Sequence, residues 1–273
     1  MNVPRTIRVL ATLVLAAATV GCATTGPDGA APARDPLEPV NRAVYEFNDA
    51  FDRAIAKPTA QAYEKAVPDF LRNMIGNAFG NARDVWTAVN QLLQGKPGHA
   101  ASDAWRVAIN TTFGFGGLLD VASEAGIEKH NEDFGQTLGR WGVAAGPYLV
   151  LPFLGPSSLR DAPARGVDVW GDPVRTIDSR GQRNNAFLAR AIDDRQRLLD
   201  SERVVNEAAL DRYSFIRDSW FQFRRNQVYD GNPPSAYEED TDWLDELERQ
   251  ESGRDDAGAA PAAPADAPAN ERR

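Results

Sequence analysis

Three residue types bound the chemistry open to this chain. It holds one cysteine, Cys22, and two histidines, His99 and His130, in 273 residues. The histidines stand on separate segments without metal-type spacing, so neither a zinc site nor a catalytic triad is built on them, and both read as surface residues. A lipase needs a nucleophile elbow, and the nearest approach, Gly155-Pro156-Ser157-Ser158, lacks the second glycine of Gly-x-Ser-x-Gly. In Phe113-Gly114-Phe115-Gly116-Gly117-Leu118-Leu119 the third glycine of a dinucleotide fingerprint is replaced by Leu119, and no strand precedes it. Gly114, Gly116 and Gly117 therefore read as a hinge or a tight helix junction. These residues argue against an enzyme, and they call for no metal and no cofactor. What remains is covalent lipid chemistry at Cys22 and a polar set, Asp133, Gln136 and Arg140, among glycines and apolar residues.

Cys22 follows a signal-like start. Arg5 and Arg8 precede an apolar run from Val9 to Val20, too short for a membrane span and typical of a signal peptide. The run closes on Thr19-Val20-Gly21-Cys22, which looks like a bacterial lipobox with Thr19 where leucine is more usual. Cleavage would remove residues 1–21 and leave Cys22 as a diacylglyceryl-modified, N-acylated terminus, held on the membrane by more than one acyl chain. Ala23 in place of an aspartate resembles lipoproteins sent on to the outer membrane. The alternative is a secreted soluble protein with a stray cysteine in its signal peptide.

The polar set lies in the stretch from Asp133 to Asp161. Read as a helix from Asp133 to Gly146 at about 100° per residue, it places Gly135, Gly139, Gly142 and Gly146 within a sector about 60° wide. Asp133, Gln136 and Arg140 face the other way, and Phe134, Leu138, Trp141 and Ala145 form an apolar side. Each interior glycine costs such a helix about 1 kcal/mol against alanine, so four on one side imply close approach of a backbone or a lipid chain. The polar side is a candidate lane for a lipid headgroup; the alternative is that Arg140 pairs with Asp133 or a neighbouring helix. Gly146-Pro147 ends the pattern. Tyr148, Leu149, Val150, Leu151, Phe153 and Leu154 then make a nearly continuous apolar segment around Pro152. It is too short to cross a bilayer, and reads either as a membrane-interface segment or as a core strand or turn.

The surrounding elements read as helices. Residues 22–34 are a small, polar tether. Asp35-Pro36-Leu37-Glu38 reads as a helix start with Asp35 as N-cap, followed by Val40, Val44, Phe47, Phe51 and Ile55 on one face and a stop at Lys57-Pro58. A short helix over 59–66, a long one from Phe70 with a bend near Gly80, and another from His99 to Thr112 follow. Arg160-Asp161 marks a helix start of architectural rather than lipid-binding role, and two long patterns, through Phe187 to Leu199 and Leu210 to Phe223, close the body. Period-2 alternation is nowhere sustained, which gives an all-α fold without a β-barrel. The expected organisation is a helical domain over 35–232 and a disordered tail over 233–273, acidic and then Ala/Pro-rich, in which Trp243, Leu244 and Leu247 form a candidate docking helix.

Charge adds one exclusion. Of the net −9, residues 238–273 hold −8, with twelve acidic and four basic side chains, so the body is nearly neutral. It carries no basic patch with interleaved aromatics, which argues against nucleic acid.

Several motifs occur together and in order: Asp35-Pro36-Leu37-Glu38-x-x-Asn41-Arg42, Phe47-Asn48, Lys57-Pro58, Asn90-x-Leu92-Leu93-Gln94-Gly95, Asn110-x-x-x-Gly114-x-Gly116-Gly117-x-x-Asp120-Val121-Ala122, Asp133-Phe134-Gly135-Gln136-Thr137-Leu138-Gly139, Gly146-Pro147-Tyr148-x-x-Leu151-Pro152 and Leu159-Arg160-Asp161. Across roughly 35–229 the chain resembles the MlaA (VacJ) family of outer-membrane phospholipid-transport lipoproteins, weakening after Asp172. The resemblance implies a ring-like helical protein in the inner leaflet of the outer membrane of a Gram-negative bacterium, with a polar channel and often a trimeric porin beside it. It implies transfer of misplaced phospholipid to a periplasmic lipid shuttle that serves an inner-membrane transporter, which maintains lipid asymmetry. A structural or adaptor lipoprotein without lipid cargo is the main alternative, and a lipid hydrolase a lesser one.

Overall fold

A computed structural model describes residues 35–202 and 209–234. The expected signal peptide, Cys22, the expected tether, the tail from residue 235 and the candidate docking helix lie outside the described residues. One compact unit runs to Arg224 and a second begins at Arg225. The described chain is mostly helical, with one small two-stranded sheet and no barrel.

Helix α1, Glu38–Phe51, does not start on an Asp35 cap. The Asp35 carboxylate is instead used across the fold, accepting from Asn41 Nδ2 at 2.8 Å and from the Tyr213 hydroxyl. Nor does the chain stop at Lys57-Pro58. A π-helical turn, Asp52–Ala56, leads into α2, Lys57–Ala66, and the Lys57 amide donates to Asp52 O. This widened turn just before Pro58 gives its ring room, so helical structure continues to Ala66.

Helix α3, Asp69–Leu93, runs unbroken through Gly80, where a bend was expected. Gly95, at φ +76°, ends it, with Gly95 N donating to Leu92 O and Lys96 N to Gln91 O. The short connection returns the chain as α4, Pro97–Thr112, packed on α3. The glycine-rich stretch is a tight junction to the one-turn helix α5, Val121–Glu124, which Asp120 caps. A Cβ on Gly114 would collide with the carbonyls of Leu119 and Asn110, and Gly116 and Gly117 both take positive φ.

Polarity along this pair is inverted. The buried face of α3 carries Asn81, Asp84, Thr87, Asn90 and Gln91, and that of α4 carries Asp103, Arg106 and Asn110. Phe70, Val85, Val89 and Leu92 are exposed, as are Trp105 (65%) and Phe113 (69%). Among the described residues nineteen polar or charged side chains are buried against ten apolar ones, four of which are alanine. The fully buried positions are thus mostly polar, and ion pairs join them: Arg106, fully buried, lies 2.9 Å from Asp120 and 3.5 Å from Asp84, which also binds Lys129 at 2.8 Å.

Helix α6, Phe134–Arg140, is shorter than the periodicity implied. Gly142, at φ +89°, closes it, with Val143 N donating to Leu138 O, and Gly146 at φ +69° lies in the following loop. The four glycines thus share no helical face; only Gly135 and Gly139 are inside the helix.

The segment from Tyr148 is a strand. β1, Tyr148–Leu151, pairs antiparallel with β2, Gly155–Ser158, so one hairpin interrupts the expected all-helical order. Its residues divide: Tyr148 and Val150 are buried with Tyr213 against Val44, Tyr45, Trp220 and Phe221, Leu149 and Leu151 are half-buried, and Phe153 and Leu154 at the tip are exposed. The outer edge of β1 is satisfied by α1. Asn41 donates to Tyr148 O and accepts from Val150 N, both at 2.9 Å, while Asn48 donates to Leu151 O at 2.9 Å and accepts from Phe153 N at 2.7 Å. Two asparagines seven residues apart thus replace a neighbouring strand for part of an otherwise open edge. Helix α7, Asp161–Gly171, a 3₁₀ turn Pro173–Thr176, α8, Arg180–Arg197, and α9, Arg212–Val228, complete the order.

Removing a buried charge should therefore cost far more than removing an exposed apolar group. Arg106→Met is expected to lower stability by about 3–5 kcal/mol, because Asp120 loses its cation and Asp84 keeps only Lys129, whereas Trp105→Ser in detergent should change it by less than about 0.5 kcal/mol. Unfolding of both variants followed by circular dichroism checks the ordering.

Candidate functional site

The interior is a set of charged networks linking helices distant in sequence. Asp133 caps α6 by accepting from Gln136 N at 2.8 Å, and its carboxylate takes two 2.6 Å bonds from Arg224 on α9. Arg224 also donates to Asp161 at the start of α7, at 3.0 Å, and Arg160 closes on the same carboxylate at 2.8 Å. Gly135 makes this crossing possible: a Cβ there would lie 2.5 Å from Asp161 Oδ1 and collide with the Arg224 guanidinium. Burial raises the Asp133 carboxyl, but Arg224 and Gln136 more than offset it and hold it below the ordinary range. Asp161 is likewise held low, burial being outweighed by Arg160 and Arg224.

The expected lane does not form as one open face. Gln136 is buried and donates to Asn131 O at 3.0 Å, and Asp133 is engaged by Arg224, while Arg140 at the end of α6 is exposed. Thr137 joins α6 to α3 through Asn90 Oδ1 at 2.8 Å. Arg160 and Asp161 belong to this network, with Asp161 the first residue of α7.

Among the described residues two cavities border these networks. The larger, about 370 Å³, lies between α1, the π turn, the hairpin, the end of α8 and α9, and is walled by Tyr45, Tyr148, Val150, Leu198 and Ile216. Its charged lining includes Asp52, Arg195 and Glu202, joined by Arg195 at 2.6 Å to each carboxylate, with Lys57 2.8 Å from Glu202. Burial raises Glu202, but Lys57 and Arg195 bring it down to about 2. The smaller cavity, about 200 Å³, lies between α3, residues 131–133, the end of α7 and α8.

His99 and His130 come together despite their separation in sequence. Their rings stack at 4.6 Å, and His130 Nδ1 lies 3.0 Å from the buried Asp103. Burial raises the Asp103 carboxyl, with His130 opposing. Ser157 and Ser158 are fully buried, and neither histidine is among their hydrogen-bond partners. Sequence reasoning missed Arg224, Arg106, Asp103 and Asp168. The signal for part of this interior was present in Asn81, Asp84, Thr87 and Gln91, polar residues at the spacing of a core face.

With this geometry in view, likeness to known proteins has a definite meaning. A family model described as MlaA lipoprotein matches residues 33–227. The chain belongs to the MlaA lipoprotein family. Among MlaA relatives, the intermembrane phospholipid transport system lipoprotein MlaA of Escherichia coli (strain K12) is 36% identical over 207 residues, covering 74% of this chain and 81% of that one. The protein of the same description in Haemophilus influenzae is 30% identical over 241 residues, covering 83% and 92%. A solved chain from work on the structural basis for maintenance of bacterial outer membrane lipid asymmetry superposes with a TM-score of 0.63 at 32% identity, covering 72% of this chain and 99% of that one.

The carboxylates predict the acid response of this MlaA member. Asp120 also falls to about 2, burial being outweighed by Ser123, Asn110 and Arg106. Carboxyls lowered on folding contribute stability that is present above their ordinary values and lost as pH falls through the folded ones. Asp103 and Asp168, raised by burial, act in the opposite sense and offset part of the loss. The thermal midpoint should hold from pH 7 to about 5 and fall between about 4.5 and 2. Gly135→Ala should cost about 1–3 kcal/mol by overpacking and reduce the acid-dependent component, which parallel melts measure.

Proposed function

We propose that this chain is an outer-membrane lipoprotein that withdraws phospholipid from the outer leaflet and passes it through a polar passage to a periplasmic lipid shuttle, so maintaining lipid asymmetry. The observation that carries this reading is the inversion of polarity. A protein with apolar helix faces outward and ion pairs inward is suited to lie within lipid while keeping a charged headgroup among polar partners, where bare hydrocarbon would be costly. Among the described residues no helix is long and apolar enough to cross a membrane, which fits residence in one leaflet. Acylation at Cys22 supplies the anchor on the periplasmic side.

The larger cavity is the segment of the passage we assign to the lipid. Its aromatic and aliphatic wall suits an acyl chain, and the Arg195–Asp52–Glu202 network keeps its charged lining hydrated. Arg140, the exposed member of the sequence-derived polar set, is assigned to headgroup contact on the way, while Asp133 and Gln136 hold α6 in place. Phe153 and Leu154 at the hairpin tip and the outward apolar residues of α3 and α4 are the contacts with lipid, and a trimeric porin is the neighbour in the membrane. The buried serines, and His130 held at Asp103 with His99 stacked on it, favour a carrier over a hydrolase.

Ile216→Trp should block the larger cavity. In cells that depend on this chain, the variant is expected to accumulate normally and to raise outer-leaflet phospholipid several-fold, as read by surface labelling of phosphatidylethanolamine. Arg140→Ala should give a smaller rise. Normal asymmetry with full levels of Ile216→Trp would remove the cavity from the route.

A further inference from the structure

The smaller cavity carries a charge pattern that the fold itself leaves incomplete. Its walls include Arg83, Trp86, Glu132, Asp133, Asp168 and Arg190. Asp172 at its edge receives Arg190 at 3.3 Å and by a second, shorter bond. Asp133 is taken by Arg224, and Glu132 by Gln94 at 2.7 Å and Lys96 at 3.5 Å. Asp168 differs from these three. Trp86 Nε1 at 2.8 Å and Phe134 N at 2.7 Å both donate to its Oδ1, and among the described residues no hydrogen bond or ion pair reaches Oδ2. One carboxylate oxygen in the cavity wall is therefore unpaired.

A loosely held cation stands beside it. Arg83 precedes Trp86 by three residues on α3, so the two share a helix side. Its partner Asp194 is bound at 3.2 and 3.3 Å with both side chains more than two-fifths exposed, the kind of pair that a better anion displaces readily. Arg190 adds a second guanidinium whose Nε is buried without a partner.

We propose that this cavity receives a zwitterionic headgroup of the phosphatidylethanolamine class, with its primary ammonium on Asp168 Oδ2 and its phosphate on Arg83. The assignment rests on the phospholipid-transport reading and adds the headgroup class. The volume, about 200 Å³, is that of about six or seven liquid waters, which accommodates a phosphate joined to an ammonium by two carbons. A quaternary ammonium is poorly served: it has no N–H for Oδ2, and Trp86 offers no open face on the side of Gly171, where even a Cβ would strike the ring. A purely anionic headgroup leaves Asp168 unpaired and meets three further carboxylates. Burial raises the Asp168 carboxyl, so an arriving ammonium stabilises the charged form that burial disfavours.

Asp168→Asn is the discriminating variant, because its amide oxygen still accepts from Trp86 and Phe134 while the amide nitrogen cannot accept from an ammonium. The full chain, purified in mild detergent, is incubated with equimolar phosphatidylethanolamine and phosphatidylglycerol and its retained lipid is weighed by native mass spectrometry. The native chain should retain phosphatidylethanolamine over phosphatidylglycerol by about tenfold, and Asp168→Asn should bring that ratio close to one with an unchanged melting temperature. Arg83→Ala should lower retention of both lipids. Lipid retained without preference, or a preference that survives Asp168→Asn, overturns the headgroup assignment and leaves transport standing; a native chain that retains neither lipid overturns both.

Discussion

The fold rests on charge pairs holding together helices whose apolar sides point outward. In a water-soluble domain the exclusion of apolar surface from water supplies the dominant favourable term. A body set among acyl chains gains little from it, because lipid is as apolar as the side chains it meets. The helices must then be joined by interactions that hydrocarbon cannot provide. Arg106, Arg224 and Arg195 each bind two carboxylates from separate parts of the chain, and each thereby fixes the relative position of at least two elements. Arginine suits this task because its planar fork offers several donors in fixed directions and stays charged when buried.

The same constraint explains the hairpin. An open strand edge exposed to lipid leaves amides and carbonyls without partners. Asn41 and Asn48 supply donors and acceptors from a helix along the edge of β1 that β2 leaves open, where no further strand pairs among the described residues, and Asn41 is itself oriented by Asp35, which Tyr213 holds in turn. The Asp35-Pro36-Leu37-Glu38 motif therefore matters less as a helix start than as the anchor of a strand more than a hundred residues away.

How much was legible follows from which rules are local. Helix spacing, the Gly95 stop and the glycine junction at 114–117 depend on neighbours in sequence and were readable. The Pro58 stop and the Asp35 cap do not form, because a π turn and a cross-fold partner outweigh the local preference. The long glycine-faced helix does not form for a related reason: periodicity places Gly142 on the packing face, whereas its positive φ makes it the terminator. The hairpin was hidden because its four-residue strands are too short for alternation to stand out. At the site, helical spacing points to Asp133 and Gln136, but Arg224, the partner of Asp133, sits in an aromatic helix with nothing local to mark it. Asp168 was equally silent, since its significance lies in which of its two oxygens Trp86 occupies.

Stability and transport are linked by this architecture through water. Burying a charge in a dry interior costs several kcal/mol even when it is paired. A chain that depends on many such pairs is more stable if some of their atoms remain solvated, and both cavities border ion-paired groups, Arg195 with Asp52 in one and Arg190 with Asp172 in the other. Space that admits water next to the networks lowers the desolvation penalty of folding. The same polar surroundings are what a phosphate and an ammonium would require in order to cross a body placed in lipid. An interior repacked with leucine would remove the hydrated space and the ion pairs together, and the outward apolar faces would then enclose nothing that a charged headgroup could enter.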